Sequence, residues 1–321
     1  MNSSIEAPCI IVTDQDAELH TSLIKVLLYF DIFNHPLSKQ ELRDLIPMQL
    51  NEENHFSQAL QELTEQKQIY FHNGFYSISP SVNNSQRRIK GEERAGAILK
   101  RMQKFSGLIA SFPFVKGVTI SGSLSKNYMD EDSDIDYFII TTPNRLWVAR
   151  TLLIIYKKLF LFNSKKNFCV NYFVSEDQLS IPDRNIFTAT EVSYLIPVFN
   201  YSVYSEFMRV NSWSRLFYPN FPLRKEDLVI TESYPKIKVM LERVFSNSFG
   251  EKLDTYFFKL TLKRWKKKFK NFDENTFDLR MRSKRNVSKH HPNGFQEKVL
   301  NQLQTKIAEF EKRHDISLIN E

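Results

Sequence analysis

The chain reads as an α+β protein in which an N-terminal part of three helices and a hairpin precedes a central mixed sheet flanked by helices and a C-terminal helical region. Three observations predict this. Residues 20–85 contain three helical patterns and then an alternating run around Asn73-Gly74. Farther on, an apolar strand ends in Gly122-Ser123 and, after ten residues, Asp134-Ile135-Asp136 opens a second apolar strand. Beyond residue 181 helical periodicity replaces strand alternation. The length of 321 residues with 42% apolar and 25% charged residues suits two to three globular units, and eight glycines exclude collagen-like or Gly-rich chains.

After a tail at 1–19, Leu23, Val26, Leu27, Phe30 and Phe33 fall at helical spacing until Asn34-His35-Pro36 breaks the pattern. Ser38 with Glu41 is a capping-box pair that opens a short helix through Ile46. A third helix is expected over 51–66, with Phe56, Leu60 and Leu63 inward. Residues 68–79 then alternate around Asn73-Gly74, a strong hairpin signal. Together these elements resemble a winged helix-turn-helix. Its third helix has no Lys or Arg and carries Glu52, Glu53, Glu62 and Glu65, which opposes phosphate contacts, so a packing or dimerisation role competes with DNA binding.

A polar linker at 80–85 leads into a basic helix at 86–112, within a core expected over 86–180. Strands are expected over 115–121, 135–141 and 167–174, with a long helix over 143–162. Two acids at i and i+2 in a strand project from one face. Carboxylates held that close repel unless a cation lies between them, and oxygen-only ligation suits Mg²⁺. Gly122 lets backbone approach a phosphate, and Ser123 offers a hydroxyl and an amide. Paired metal ligands beside a phosphate cradle are equipment for phosphoryl or nucleotidyl transfer.

Ile120-Ser121-Gly122-Ser123 and Asp134-Ile135-Asp136 resemble the signature of the polymerase-beta-like nucleotidyltransferase superfamily. The resemblance covers roughly residues 92–180 and is nearest to minimal nucleotidyltransferase domains preceded by a winged helix. It implies that Gly122 and Ser123 hold a nucleoside triphosphate such as ATP, and that Asp134 and Asp136 are the catalytic ligands of two Mg²⁺ ions. It also implies transfer of a nucleoside monophosphate to an acceptor hydroxyl, whose identity the chain does not announce. The superfamily's usual third carboxylate would stand at Asn171, which cannot act as a base near neutral pH. Glu176, Asp177 and Glu191 are the neighbouring substitutes. A non-catalytic nucleotide-binding or regulatory protein with a degenerate site is therefore the alternative, and a winged-helix DNA-binding regulator is a third reading.

By chemistry alone, Lys126 could neutralise a nucleotide phosphate, and Arg145 and Arg150 follow on the next helix. Trp147 lies on a helical stripe with Ile154 and Leu161 and is expected in the core. Gly91 and Gly96 have the first spacing of a P-loop, but Ala97-Ile98 stands where Lys-Ser is required.

The net charge is +7, and the segment 259–291 alone carries +9, leaving −2 for the remainder. Phe258, Leu262, Trp265 and Phe269 form an apolar stripe bordered by Lys and Arg there; a helix docked on the domain is expected first, a contact to nucleic acid or another polyanion second, and an interfacial membrane helix is the remaining reading. Residues 280–291 read as an exposed loop able to reach a bound phosphate, and 294–312 as amphipathic helix. Cys9 and Cys169 sit in unrelated contexts and support neither a disulfide framework nor a thiolate zinc site. No transmembrane segment is expected, because the best apolar run, 152–162, is interrupted by Lys157-Lys158. With no secretory signal, a reduced cytoplasmic location is expected.

Overall fold

The computed structural model describes residues 14–50, 53–162, 164, 166–230 and 235–318. Most of the expected tail, with Cys9, and the start of the third helix, with Glu52, lie outside them. The architecture is mixed α+β, with two sheets and helices throughout.

By its internal contacts the chain divides into two units. One comprises the residues up to 86 with 218–220 and those from 301 onward. Its elements are α1 (Asp14–Asp31), β1 (Leu37–Ser38), α2 (Lys39–Leu45), α3 (Glu53–Glu65), β2 (Tyr70–His72) and β3 (Phe75–Ser77). The apolar stripes read from sequence meet here: Leu23, Leu27 and Phe30 of α1 and Phe56, Leu60 and Leu63 of α3 are buried. The capping box forms, with the Ser38 hydroxyl accepting from the Glu41 amide at 3.3 Å and the Ser38 amide donating to the Glu41 carboxylate at 2.9 Å. Asn73 (φ 54°) and Gly74 (φ 86°) are both left-handed, as a two-residue hairpin requires, and β3 lies between β1 and β2.

The second unit comprises residues 87–217 and 221–300. It contains α4 (Val82–Ala110) from residue 87, β4 (Val115–Ser121), α5 (Gly122–Ser125), β5 (Asp136–Thr141), α6 (Leu146–Phe160) and β6 (Cys169–Ser175). Then come α7 (Ile186–Ser193), β7 (Ile196–Phe199), α8 (Tyr201–Val210), α9 (Lys236–Phe245), α10 (Ser248–Lys268), α11 (Glu274–Met281), β8 (Ser283–Lys284), β9 (Val287–Lys289) and the start of α12 (Phe295–His314). One six-stranded sheet runs β7-β4-β5-β6-β9-β8. The β5–β6 pair is parallel and the other pairs antiparallel, with α6 supplying the crossover that a parallel pair needs. Tyr137, Ile139 and Phe173 bury with Met102, Ile109, Trp147 and Leu153 of α4 and α6. On the other face Phe138 packs against Tyr172 at 5.1 Å and against Phe207 of α8 at 5.0 Å.

The C-terminal half differs from the sequence reading in two respects. Strand β7 and the β8–β9 hairpin lie beyond residue 181, where mostly helix and no strand was expected, and both join the same sheet as β4–β6. They escaped detection because four, two and three residues are too short to show a period. The segment 280–291 is not a free basic loop: β9 pairs with β6 and is buried, and Arg280 and Arg282 form ion pairs with Glu297 and Asp183. The cations of α10 from Lys259 to Lys268 remain exposed, while Trp265 is buried and its ring lies 6.3 Å from that of Trp147.

Asp254 explains how α10 is fixed. Its carboxylate is fully buried and accepts from the amides of Trp147 at 2.7 Å and Val148 at 3.0 Å, satisfying the otherwise unpaired start of α6. Removing it strands both donors and takes the partner from Arg285. Asp254→Ala is therefore expected to cost about 2–4 kcal/mol, read as a lower urea midpoint at unchanged slope.

Candidate functional site

The polar cluster of the second unit lies at the end of the sheet where the interior strands β4 and β5 meet, the one ending and the other beginning. Ser121 pairs with Asp136, so the chain must turn at Gly122 directly beside that carboxylate. Gly122 has φ 68°, and a Cβ there would stand 2.6 Å from Asp136 Oδ2. Only glycine meets both demands without strain. The turn continues as α5, in which the Ser123 hydroxyl donates to Met129 Sδ at 3.5 Å.

Asp134 and Asp136 are not both in the strand, as the two-residue spacing suggested. Strand β5 starts at Asp136. Ile135 is anchored before it, its amide donating to Lys166 at 3.0 Å and its carbonyl accepting from Cys169 at 3.1 Å. The two acids flank this buried residue and both stay partly exposed. Burial pushes the Asp136 carboxyl up to about 6; the Cys169 thiol, which donates to it, and Lys126 oppose the rise, while the charges of Asp134 and Glu191 add to it. Burial, reinforced by Asp136, raises the Cys169 thiol to about 12, so this cysteine stays protonated as a donor.

Lys126 and Glu191 complete the cluster. Lys126 Nζ lies 2.8 Å from Glu191 Oε1 and donates to the Gly122 carbonyl at 3.1 Å. Glu191 arrives on α7, and it is the one of the three substitute acids whose charge reaches Asp136. Glu176 follows β6 at the opposite end, its amide bonded to Thr141 at 3.0 Å. It stands five strand positions from Asp136, about 17 Å away, and Asp177 goes with it.

Asn171 occupies the bulge of β6, since Val170 pairs with Tyr137 and Tyr172 with Phe138. Its amide donates to Cys169 Sγ at 2.9 Å, which ties it to the support of Asp136. Arg145 and Arg150 are not brought to the site. Arg145 is buried and holds the carbonyls of Phe245 at 2.7 Å and Asn247 at 2.9 Å, while Arg150 packs over Trp147 and Trp265. Trp147 is fully buried.

Two participants went unread in the sequence. Cys169 carries no local signal, because its part follows from a cross-strand register with Asp136. His291 lies just past β9, its ring 6.0 Å from that of Tyr172; burial, with the Lys289 charge, pushes its imidazole down to about 4 against the opposing charge of Glu191. A His-His pair after a basic run was visible at 290–291, but nothing local tied it to the Asp-x-Asp strand.

The donor set can be tested for a hard cation. Among the described residues no three His, Cys, Asp or Glu side chains converge to hold a metal by themselves. Mg²⁺ characteristically takes one or two carboxylates and leaves its other positions to water and substrate phosphates. Asp134 and Asp136, crowded and oxygen-bearing, fit that pattern. No family model, curated protein or solved structure matches the chain.

Proposed function

We propose that the chain is a Mg²⁺-dependent nucleotidyltransferase that moves a nucleoside monophosphate from a nucleoside triphosphate to an acceptor hydroxyl. The observation that carries this reading is the close approach of Gly122 to the Asp136 carboxylate, with Asp134, Lys126 and Glu191 gathered around it. In this reading Gly122 and Ser123 cradle the triphosphate. Lys126, leaving Glu191, neutralises its charge. Asp134 and Asp136 hold Mg²⁺, which when bound would stabilise negative charge on the attacking and leaving oxygens. Glu191 takes the part of the missing third acid from a helix. The acceptor oxygen attacks the α-phosphorus, its proton passes to a carboxylate or solvent, and pyrophosphate leaves with the bonding electrons.

A purified chain with Mg²⁺ and labelled triphosphates is expected to release pyrophosphate. Tight nucleotide binding without release across a broad acceptor panel would instead favour a non-catalytic nucleotide-binding protein, a reading that Asn171 at the third-acid position supports. Glu191→Gln tests the part given to that acid: turnover is expected to fall about 10²-fold or more with nucleotide affinity changed only a few-fold. Unchanged turnover would reduce Glu191 to a counter-ion of Lys126.

The order of α1, β1, α2, α3 and the β2–β3 hairpin supports reading the N-terminal unit as a winged helix. The exposed Lys259, Lys263, Arg264, Lys266, Lys267 and Lys268 of α10 favour a polyanionic acceptor or partner such as nucleic acid.

A further inference from the structure

Behind the Asp134 segment the second unit has a cleft of about 400 Å³, within the size range of small-molecule sites. Its floor is apolar and pliant, made by Ile98, Met102 and Phe105 of α4 and by Met129. Thioethers beside a phenyl ring suit a flat aromatic body. The rim is cationic, with Arg94, Arg101 and Lys166. The rim's acids are already engaged: Asp130 with Arg87 at 2.5 Å and Glu131 with Arg94 at 2.5 Å. Arg101 and Lys166 are exposed and have no side-chain partner among the described residues. An apolar hollow edged by two uncompensated cations complements an anion with an apolar body.

We propose that this cleft binds a small aromatic oxyanion, a ring system bearing a carboxylate, sulfonate or phosphate, as a site separate from the triphosphate cradle. Occupancy reaches the neighbouring chemistry through shared residues. Met129 lines the cleft and accepts from the Ser123 hydroxyl, while Ser133 and Ile135, also in its wall, flank Asp134. The same segment is fastened to α4 by the Met129 amide on the Gly91 carbonyl at 3.1 Å and by Tyr128 packed on Gly91. A ligand engaging Arg94 competes with Glu131 for it and so changes how this segment is held. The transmission to nucleotide rests on the nucleotidyltransferase reading; the binding does not.

The probe is 8-anilinonaphthalene-1-sulfonate, whose fluorescence rises in apolar surroundings, titrated into the full chain. Saturable binding at one site is expected. Arg101→Glu with Lys166→Glu should weaken it at least about tenfold. Ala97→Trp, at an exposed position of the cleft wall, should abolish it while thermal melting and circular dichroism stay as in the unaltered chain. Wild-type affinity in either variant overturns the site. In a second arm, saturating probe is expected to shift Mg²⁺–triphosphate affinity at least about threefold in the unaltered chain and not in the variants. Probe binding with unshifted nucleotide affinity overturns the transmission. Probe binding with no nucleotide binding supports the site and sinks the transferase reading.

Discussion

Asp134→Asn combined with Asp136→Asn is expected to lower Mg²⁺-dependent triphosphate turnover by about 10³-fold or more while making the protein more stable at pH 7.5. The two effects have one cause. Asp136 titrates near 6 in the fold, because burial and the charges of Asp134 and Glu191 disfavour its anion. In the unfolded chain it titrates near 4. A carboxyl raised on folding stabilises the native state below about pH 4, and that contribution is lost as pH rises through about 6. Above that, the anion is a burden that a neutral amide removes, by roughly 1–2 kcal/mol after allowance for its partial exposure. Thermal melts of the single Asp136→Asn variant should show its advantage above pH 6 and none at pH 4. Undiminished turnover in the double variant rules out the assigned roles, and an advantage independent of pH rules out the electrostatic account.

Gly122→Ala tests the other half of the site. Alanine at φ 68° costs about 1 kcal/mol in backbone strain, and its methyl would press on Asp136 Oδ2 at 2.6 Å. The carboxylate, which accepts the Cys169 thiol, must swing away or the turn must open. A loss of about 2–3 kcal/mol is expected, together with a fall in turnover of about 10²-fold or more. The same substitution in an Asp136→Ala background isolates the collision: the cost should shrink to the strain alone, about 1 kcal/mol. Equal costs in both backgrounds would show that the Gly122–Asp136 contact plays no part.

The fold was legible wherever the controlling interactions are local. The Ser38–Glu41 capping box, the Asn73-Gly74 turn and strand β4 follow from neighbours within a few residues, and each forms where the pattern placed it. Helix boundaries shifted by a few residues, as at the start of α4, where the polar stretch 82–85 continues the helix. The short strands beyond residue 181 were not legible, since their stability comes from pairing with distant partners.

The same division holds at the site. By itself the sequence determined that Gly122-Ser123 and Asp134-x-Asp136 come within one strand-turn-strand unit, because the chain between them is only ten residues long. It also determined that Asn171 is not an acid. Tertiary structure alone decided which distant carboxylate faces the pair: of three candidates, α7 brings Glu191 onto Lys126, while the parallel pairing of β5 with β6 carries Glu176 and Asp177 to the far end of the sheet. It alone decided that Cys169 supports Asp136 and that Arg145 serves a helix junction. Local pattern fixes which residues a turn can hold, but charges separated by dozens of residues meet only through sheet register and helix packing, which no local pattern encodes.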